Sequence, residues 1–463
     1  MTSYGSADTG ELENELSFQD QIVHGEASSS SPGKRGRVWA GVSVVLLILS
    51  GALMYSTRSV PQTGTASSEI SLKTTVSTKR VPSIEAKHEA SRVKAKKQRL
   101  STFDNSGKIL RKANVDRYSF TSKDVVEKIE KGDMDGLMKI FNEFAAKEDK
   151  DYRNLADSHA TKQSRFKTFL ENVEATHKKQ NALDVNSARQ NKATYGVNKF
   201  ADMTRDEKKK LLSFNKDALE KNKEKLAAMG ARMENKQVAK YTGTATSIDW
   251  TGTLATTYII DQGFCGCCWA VSATEQMESD SIAQGVSTID DWFSTEYTTA
   301  CDRTNWGCDG GNTETAWYLM YMSGGMMLAT DYGDGEPLQS RGLVAKACVV
   351  DEDVEMVSKP VAYGTLFTEE QMKDYVMSTG PLSICYAAED ILDYTGGVIT
   401  SCGGEIDHCS QIVGINMDAE TPYWIVRNSW GSAWGESGYF YLAYGSDLCT
   451  ITYDPHYLEV MAV

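Results

Sequence analysis

The sequence predicts an α+β fold for the C-terminal half of the chain, preceded by a helical region and one transmembrane helix. Three observations lead to this prediction. A helical run starts beside the cysteine-rich residues 262–270, and an apolar, strand-like run occupies residues 412–415. Residues 121–230 carry apolar side chains at helical spacing, and residues 38–57 hold no charged side chain. At 463 residues the chain is long enough for two or three domains.

The two halves of the chain carry opposite charge. Residues 247–463 contain 6 Lys and Arg residues against 32 Asp and Glu residues, a net charge of −26. The whole chain has a net charge of −14, so residues 1–246 carry +12. Opposite charges predict that the two halves attract each other. The alternative is that both sets of charges are solvated surfaces. We expect no nucleic-acid partner.

All ten cysteines lie between Cys265 and Cys449. Cysteine confined to one segment predicts disulfides, and therefore a lumenal or extracellular location for that segment. A zinc site is the alternative, because residues 265–268 read Cys-x-Cys-Cys. The run lacks the paired Cys-x-x-Cys knuckles of structural zinc sites, so we expect no metal and no cofactor.

The N-terminus is typical of a type II membrane protein. Residues 1–37 are polar and are expected to form a disordered cytosolic tail. Residues 38–57 are uncharged and long enough to cross a bilayer as a helix. Basic residues before this run outnumber Arg58 after it, which orients the N-terminus towards the cytosol.

A cleaved signal peptide is the competing interpretation of this run. Ser50 and Ala52 are small residues of the kind found near a cleavage site. The long polar segment before the run favours the anchor. Residues 58–118 are rich in Ser, Thr, Lys and Ala and are expected to form a flexible stalk.

Residues 119–246 show the patterns of three helical stretches. The first stretch is expected to hold two short amphipathic helices before residue 150, with a break around residues 132–136. A longer helix covers about residues 151–180. Its single apolar stripe consists of Phe166, Phe169, Leu170 and Val173. A capping box at Thr204 and a stop at Gly230 predict a third, continuous, lysine-rich helix.

Cys268 is the candidate nucleophile of residues 262–270, which read QGFCGCCWA. A thiol in the first turn of a helix feels the positive end of the helix dipole, which favours the reactive thiolate. The alternative is a buried or disulfide-bonded structural cysteine. A catalytic thiolate needs a base, and His408 and His456 are the only histidines after residue 246.

His408 and Asn428 complete a candidate catalytic set. His408 precedes the apolar run 412–415, so a strand would present its ring to Cys268 across a cleft. The Asn428 amide can accept a hydrogen bond from the imidazole and orient it, while Trp430 and Trp434 shield that bond from water.

These residues resemble the papain and cathepsin L family, whose signature around the catalytic cysteine is followed by a distant His and Asn. The N-terminal helices resemble the inhibitory propeptide of the same family. The element Gly-x-Asn-x-Phe-x-Asp is complete at residues 196–202, and Arg165, Phe169 and Asn172 match the long helix. Other positions of that helix differ from the family pattern, namely Thr161, Thr176 and Gln180. An ordinary helical domain is the alternative.

The resemblance implies a papain-like fold in two lobes. Residues 119–246 would be the inhibitory propeptide and residues 247–463 the peptidase domain, with processing between about Glu234 and Ser247. A helical lobe would span about 258–355, the remainder would form a β-barrel-like lobe, and the substrate cleft would lie between them. The chain would be the zymogen of a cysteine endopeptidase, with its propeptide as intramolecular inhibitor and peptides as substrates.

The resemblance also assigns roles in catalysis. Cys268 and His408 would form the reacting pair, Asn428 would orient the imidazole, and Gln262 would share an oxyanion hole with the Cys268 backbone N–H. Because acid weakens contacts between a basic propeptide and an acidic enzyme, activation is expected at low pH. An acidic enzyme of this kind fits a lysosome, endosome or vacuole.

Disulfides implied by the family are Cys265–Cys308, Cys301–Cys348 and Cys402–Cys449. Three cysteines besides Cys268 remain. Cys267 replaces a small, hydroxylic residue of the family and offers a second thiol for oxidation. Cys385 and Cys409 are hypothesised to form a fourth disulfide across the substrate pocket.

The resemblance also places eight residues at the substrate-binding groove. They are Gly310, Gly311, Asn312, Cys385, Asp407, Cys409, Trp430 and Asp454. A carboxylate at the pocket floor, at Asp454, would accept Arg or Lys two residues before the cleaved bond. Alternatively, Asp454 points to solvent and takes no part in specificity.

Two other functions remain open from the sequence. A catalytically silent relative could act as a membrane-tethered binding protein, although it would usually lack one of the catalytic residues. Thiol–disulfide exchange through Cys265 and Cys268 would need a thioredoxin-like βαβ context, which the sequence does not indicate.

Overall fold

The computed structural model describes residues 117–150, 158–186, 193–230, 238–252, 255–332, 348–350 and 353–463. All of them fall within one compact unit of the chain. The expected cytosolic tail, transmembrane helix and nearly all of the stalk, residues 1–116, lie outside the described residues. Among the helices of the described ranges, none is both long enough and apolar enough to cross a bilayer.

We call residues 119–246 the leader and residues 247–463 the C-terminal region. Two helices open the leader, with bounds α1 Ser122–Lys131 and α2 Met134–Lys147. Thr121 and Asp124 form a capping box at the start of α1, and Gly132 ends it in the left-handed conformation. Asp133 then caps α2 by accepting the Gly136 N–H. The break is therefore two residues long, shorter than the expected 132–136.

The long leader helix, α3, spans Ser158–Asn186. It lies further along the chain than the expected 151–180, although residues 151–157 are outside the described residues. Phe166, Phe169 and Val173 are buried from its apolar stripe, and Leu170 is partly buried. These side chains pack against α1 and α2 in one apolar core, with the Phe144 and Phe169 ring centroids 4.9 Å apart.

The lysine-rich helix predicted between Thr204 and Gly230 is interrupted, so the prediction of one continuous helix there is wrong. The capping box of Thr204 and Glu207 starts α4, Arg205–Leu211, and a second helix, α5, spans Lys216–Gly230. Between them, Phe214 forms a parallel bridge with Gly311 of the C-terminal region. Pairing with another part of the chain therefore replaces the helical hydrogen bonds that local propensity favours. We call residues 211–215 the groove segment.

Helices dominate the first half of the C-terminal region. Their bounds are α6 Cys268–Ala283, α7 Thr295–Cys301 and α8 Thr313–Met322. The helix α6 is buried from Cys268 to Ser281, so it is the central element of this lobe. A further helix, α9, spans Glu369–Ser378 and packs against the sheet described next.

The remaining elements are strands. Their bounds are β1 Thr194–Tyr195, β2 Ser247–Asp249, β3 Ser358–Thr365, β4 Leu382–Tyr386, β5 Tyr394–Gly396, β6 Val398–Ile399, β7 His408–Asn416, β8 Tyr423–Arg427, β9 Tyr439–Ala443 and β10 His456–Ala462. In the described part of the chain the main sheet has the order β3-β10-β4-β7-β8-β9-β6, with β2 also pairing with β7. The strand β1 pairs with β5, so the leader adds a strand to the C-terminal region.

The boundary between the two lobes differs from the expected split at about residue 355. Leu458 and Val460 of β10 are buried within the helical core rather than the sheet core. The helix α6 also packs directly on β7, where the Ser272 hydroxyl donates to the Ser410 carbonyl at 2.7 Å. Strands from the end of the chain therefore complete the helical lobe, and α6 and β7 meet at the interface between the lobes.

Candidate active site

Cys268 is the first residue of α6, as the sequence predicts. The preceding loop is fixed by the Cys265–Cys308 disulfide and by Gly266, where a Cβ would lie 2.4 Å from the Cys308 carbonyl oxygen. The Cys267 carbonyl accepts hydrogen bonds from the first turn of the helix. The local sequence therefore aims the thiol out of the helix N-terminus, where the helix dipole favours negative charge.

The leader covers this thiol. Cys268 is fully buried, and the Ser213 hydroxyl of the groove segment lies 3.3 Å from its sulfur. Burial raises the pKa of Cys268, an effect that outweighs the hydrogen bonds from Ser213 and from the Cys409 backbone. The Cys268 thiol is therefore neutral while the leader covers it. The thiolate that the helix dipole favours is expected for a Cys268 that the leader does not cover.

His408 is the first residue of β7. Among the described residues, only one of its two ring nitrogens has a hydrogen-bond partner. Its Nε2 lies 2.8 Å from Asn428 Oδ1, so Nε2–H donates to that amide oxygen. Its Nδ1 is buried and has no hydrogen-bond partner among the described residues. Burial lowers the pKa of His408 to about 4, although Asn428 and Asp407 oppose this effect. The imidazole is therefore neutral, with the lone pair on Nδ1.

Two lines of contact bring Cys268 and His408 to the same end of the α6–β7 pair. The Cys268 sulfur lies close to the backbone of Cys409, one residue after His408. One turn along the helix, Ser272 bonds to Ser410. The unpartnered Nδ1 and the thiol thus belong to one site between the lobes.

Tryptophans cover the His408–Asn428 bond. The imidazole and the Trp430 ring have centroids 4.7 Å apart, and Trp434 lies perpendicular to Trp430 at 4.7 Å. All of these side chains are almost completely buried. A hydrogen bond in such a dry environment is stronger than one exposed to water, so the imidazole has a fixed orientation.

Gln262 faces the groove segment. Its Nε2 donates to the Leu211 carbonyl at 3.1 Å and to the Cys265 carbonyl at 2.9 Å. The Ser429 hydroxyl donates to its Oε1 and so fixes the amide orientation. A carbonyl of the leader therefore occupies the donor that the sequence assigns to an oxyanion hole.

The groove segment follows the edge of the cleft as an extended chain. The Phe214 N–H donates to the Asp407 carbonyl at 2.9 Å, and the Asn215 N–H donates to the Gly311 carbonyl at 3.0 Å. The Gly311 N–H in turn donates to the Ser213 carbonyl at 3.1 Å. At Gly310, with φ +117°, a Cβ would lie 2.5 Å from that same carbonyl oxygen, so glycine is required for this approach.

The Phe214 side chain fills a pocket beside the thiol. It packs against Ile406 and the Cys385–Cys409 disulfide, and its ring centroid lies 5.9 Å from that of Tyr453. The pocket therefore accommodates a large apolar side chain. The hypothesised fourth disulfide is present in the structure.

An ionic cluster lies near this pocket, since Thr313, next to Glu314, contacts Cys385 and Tyr453, next to Asp454, contacts Phe214. His456 Nε2 lies 2.6 Å from Glu314 Oε1, and its Nδ1 lies 3.4 Å from Asp454 Oδ1. Burial alone would lower the pKa of His456, but the two carboxylates raise it to about 9. Burial raises the pKa of Asp454 to about 7, against the effect of His456. Asp454 is thus buried and paired, and it does not point to solvent.

Sequence reasoning named Asp454 but missed Glu314 and His456. The signal was the Asp-Pro-His sequence at residues 454–456, which brings a histidine close to the noted carboxylate. The ligand atoms of the three residues lie within 4.8 Å of one another, a spacing that a metal ion also uses. Because a protonated His456 already bridges both carboxylates, an internal ion triad accounts for the cluster.

The disulfides of the structure match the three pairs that the family implies. The bonds join Cys265 to Cys308, Cys301 to Cys348 and Cys402 to Cys449. Among the described residues the free thiols are Cys267 and Cys268. Because Cys265 is bonded to Cys308, it does not form a redox pair with Cys268. Burial raises the pKa of Cys267 far above its ordinary value, so this second thiol has little thiolate character.

Ion pairs hold the leader on the C-terminal region. Lys199 contacts both oxygens of Asp261, the nearer at 2.6 Å, and donates to the Trp430 carbonyl at 3.1 Å. Lys179 pairs with Asp393 at 2.9 Å, and Arg205 lies 3.6 Å from Glu389. In each pair the basic residue belongs to the leader, as the charge distribution predicts.

Residues 196–202 add an uncharged hydrogen bond and an aromatic contact between the leader and the C-terminal region. The Asn198 side chain donates to the Leu392 carbonyl at 2.7 Å. The Phe200 ring meets Trp430 edge-on, with centroids 5.3 Å apart. This element therefore attaches the leader to the same tryptophan that covers His408.

Comparison with known proteins identifies the family of the chain. The papain family cysteine protease profile matches residues 244–458, and the cathepsin propeptide inhibitor domain profile matches residues 141–207. The chain belongs to the papain family, with a cathepsin-type propeptide before the peptidase domain.

Curated relatives support this assignment over more of the chain. A cysteine proteinase of Trypanosoma brucei brucei is 32% identical over 295 residues, which cover 62% of this chain and 60% of the relative. A viral cathepsin of Antheraea pernyi nuclear polyhedrosis virus is 30% identical over 67% of this chain and 88% of its own length. The match thus spans less than two thirds of the trypanosomal protein but most of the viral one.

A solved structure is similar to this chain over more than two thirds of its length. Digestive procathepsin L 3 of the Tenebrio molitor larval midgut superimposes with a TM-score of 0.54 at 25% identity, over 70% of this chain and 98% of the other. The stem bromelain precursor, at 24% identity and a TM-score of 0.56, shares the fold.

Proposed function

We propose that the chain is the zymogen of a cysteine endopeptidase, with a leader that occupies its own active site. The observation that carries this proposal is the path of residues 211–215. This segment places a hydroxyl on the Cys268 sulfur, a carbonyl on the Gln262 amide and a phenyl ring in the adjoining pocket. A substrate peptide would need each of these positions.

The mechanism starts when the leader leaves. Water then reaches the site, so the desolvation that keeps Cys268 and His408 neutral is reduced. The thiol proton passes to the free Nδ1 of His408, and the resulting thiolate is stabilised by the N-terminus of α6. Asn428 continues to accept from Nε2–H, so the imidazolium keeps its orientation.

The thiolate attacks the carbonyl carbon of the bound peptide. Negative charge then develops on the carbonyl oxygen, where the Gln262 side-chain N–H and the Cys268 backbone N–H stabilise it. The His408 imidazolium protonates the leaving amine, and an acyl-enzyme remains. His408 then removes a proton from water, which attacks the thioester and releases the acid and the free thiol.

Acid promotes activation in this proposal. The docking pairs Lys199–Asp261, Lys179–Asp393 and Arg205–Glu389 join a basic leader to an acidic C-terminal region, so loss of negative charge from that region at acid pH weakens the attraction between the two. Within the leader, by contrast, Arg165 lowers the pKa of Glu207 to about 2 despite partial burial. The Arg165–Glu207 ion pair within the leader therefore persists at acid pH.

The pocket that holds Phe214 would select the side chain two residues before the cleaved bond, the P2 side chain. Its apolar wall favours Phe or Leu. The Glu314–Asp454–His456 cluster near it would extend this range to Arg or Lys when Asp454 is ionised. Glu314 and His456 thus join Asp454 among the proposed specificity residues.

The membrane location is proposed from the sequence of residues 38–57. Four disulfides in the C-terminal region are consistent with a lumenal location. The precursor would be a single-pass type II protein, with the enzyme in a lysosome, endosome or vacuole. Protease protection of sealed vesicles tests this: the C-terminal region should resist digestion until detergent is added, and digestion without detergent would contradict the orientation.

Alkylation of the processed enzyme tests the catalytic proposal. One equivalent of a thiol-directed inhibitor should label Cys268 and abolish hydrolysis of a peptide substrate, with Cys267 unlabelled. A correctly folded, processed protein that binds peptides but does not cleave them would instead support the silent binding protein. Labelling without loss of peptidase activity would contradict Cys268 as the nucleophile.

A further inference from the structure

The Cys385–Cys409 disulfide lies directly beside the catalytic histidine. Cys385 of β4 and Cys409 of β7 face each other in the antiparallel register of the two strands. The next pair in the register is Tyr386 with His408, and the Tyr386 ring meets the imidazole edge-on at 5.7 Å. The crosslink therefore joins the two strands one residue away from the group that must accept the thiol proton.

The same disulfide forms a wall of the substrate pocket. Its two sulfur-bearing side chains pack against Phe214, and Thr313 Oγ1 lies 4.0 Å from Cys385 Sγ. Both cysteines are fully buried, and Phe214 is 8% exposed. Because Phe214 belongs to the leader, processing removes the ring that covers the bond. The disulfide is then exposed to whatever occupies the groove.

We propose that the Cys385–Cys409 disulfide determines P2 specificity and positions His408, and that leader removal makes it sensitive to low-molecular-weight thiols. This inference rests on the proposed function, because it concerns the same groove. The bonded sulfurs form a compact apolar wall, which suits an aromatic or branched aliphatic side chain such as that of Phe214. Unbonded sulfurs cannot remain as close together, so reduction must turn a thiol into the pocket or separate the strands.

The redox step is thiol–disulfide exchange. A thiolate of the small molecule attacks one sulfur of the bond, forms a mixed disulfide and releases the other cysteine as a thiolate, which takes up a proton. A second molecule of the small thiol then attacks the mixed disulfide. Two small thiols are oxidised to one disulfide, and Cys385 and Cys409 are reduced to thiols. Access of the attacking thiolate limits the first step, so the leader should protect the bond.

The chain offers a matched control in the Cys301–Cys348 disulfide. This bond closes a loop with a sequence separation of 47, whereas Cys385 and Cys409 are 24 residues apart. Loss of the control bond should therefore destabilise the fold at least as much. Cys301 belongs to the helical core and not to the cluster around Phe214. A change in selectivity confined to the pocket pair thus cannot be attributed to stability.

The first experiment compares processed Cys385→Ala/Cys409→Ala with processed Cys301→Ala/Cys348→Ala. Peptides that differ only at P2, with Phe or Gly, give the ratio of kcat/KM. We expect this ratio to fall about tenfold or more in the pocket variant and to stay within about twofold of wild type in the control. The alkaline limb of the pH profile, where the His408 imidazolium loses its proton, should also move in the pocket variant alone, since His408 loses its fixed neighbour. Unchanged ratios and pH profiles in both variants would overturn the proposal.

The second experiment needs no substitution, so it holds even where a variant fails to fold. Zymogen and processed wild type are incubated with reduced glutathione, alkylated and mapped by mass spectrometry. Cys385 and Cys409 should be labelled at least about tenfold faster after processing, because exchange depends on access. Equal labelling rates in the two forms would contradict the protection. This readout does not use peptidase activity, so it separates failure of this inference from failure of the proposed function.

Discussion

The residues around the nucleophile and the groove segment of the leader meet at one site, yet local sequence determines them very differently. Cys268 begins a helix that the sequence predicts, after a loop fixed by a nearby disulfide. Residues 211–215 interrupt a stretch for which the sequence predicts a continuous helix. Hydrogen bonds to Asp407 and Gly311 replace the helical ones there. A candidate nucleophile can thus be positioned by local sequence, whereas a blocking segment takes its shape from the groove it fills.

The largest expected effect comes from removing the nucleophile. Cys268→Ala should lower kcat of the processed enzyme by about 10⁵-fold or more, because no acyl-enzyme can form. The adjacent Cys267→Ala is the matched control, since that thiol is buried and neutral, and it should retain activity. Hydrolysis of a fluorogenic peptide measures both. Substantial activity in the Cys268 variant would show that the local pattern does not identify the nucleophile.

Gln262→Ala should affect both the proposed catalytic step and the binding of the groove segment. Loss of one oxyanion donor should lower kcat about a hundredfold. The same change removes the bond to the Leu211 carbonyl, so the leader should also bind less tightly. Steady-state kinetics of the processed enzyme and the activation rate of the zymogen give the two effects separately. A variant with slow turnover and an unchanged leader would indicate that the Leu211 carbonyl does not depend on this donor.

Phe214→Ala weakens the groove segment alone. The side chain is a buried aromatic anchor, so its loss should cost about 2 kcal/mol of leader binding, roughly a thirtyfold change. Zymogen activation, followed by gel or peptide hydrolysis, should accelerate, while kcat of the processed enzyme should not change. Lys209→Ala, at an exposed position of α4, serves as control. Equal activation rates for both variants would contradict the assignment of Phe214 to the pocket.

Lys199→Ala tests the electrostatic attachment of the leader. This partly buried pair should contribute about 1 kcal/mol, so activation at neutral pH and low salt should become roughly fivefold faster. The effect should shrink as the salt concentration rises, because salt screens this partly exposed ion pair. Lys178→Ala, which breaks a pair within the leader only, should have little effect. An acceleration that persists undiminished at high salt would argue against an electrostatic contribution of this pair.

The smallest expected effect concerns the floor of the pocket. The pKa of Asp454 is raised to about 7, so this carboxyl is neutral at acid pH and ionises as the pH rises through that value. His456, with a pKa of about 9, stays protonated over the same range. The preference for Arg over Leu at P2 should therefore rise about threefold from pH 5.5 to 8. A peptide library shows this, and Asp454→Asn should abolish the rise; a flat ratio in wild type would exclude the carboxylate from specificity.

Much of the site could be predicted because its signals are short-range or arithmetically simple. The capping box at Thr204, the start of α6 and the pairing of a scarce histidine with a distant asparagine all follow from residue type and spacing. The resemblance to a family then supplied three disulfide pairings, and the structure contains all three bonds. Such features depend on a few neighbouring residues or on a pattern that does not require the fold to be known.

Other features needed the tertiary structure. The partners of Asp454 come from α8 and β10, which are far apart in the sequence, so their charges become coupled only when the two elements pack together. The Cys385–Cys409 bond depends on the register of β4 against β7, because a slip of one residue would turn each cysteine to the opposite face.

The sequence by itself determined the candidate chemistry of this protein: which thiol begins a helix, which histidine is proposed as its base, and that a basic leader precedes an acidic region. Only the tertiary structure decided where the predicted leader helix is interrupted and how the wall and floor of the pocket are assembled. The physical reason is that helix starts and charge totals are set by residues close in sequence. Groove occupancy, strand register and buried ion clusters are set instead by contacts between distant segments.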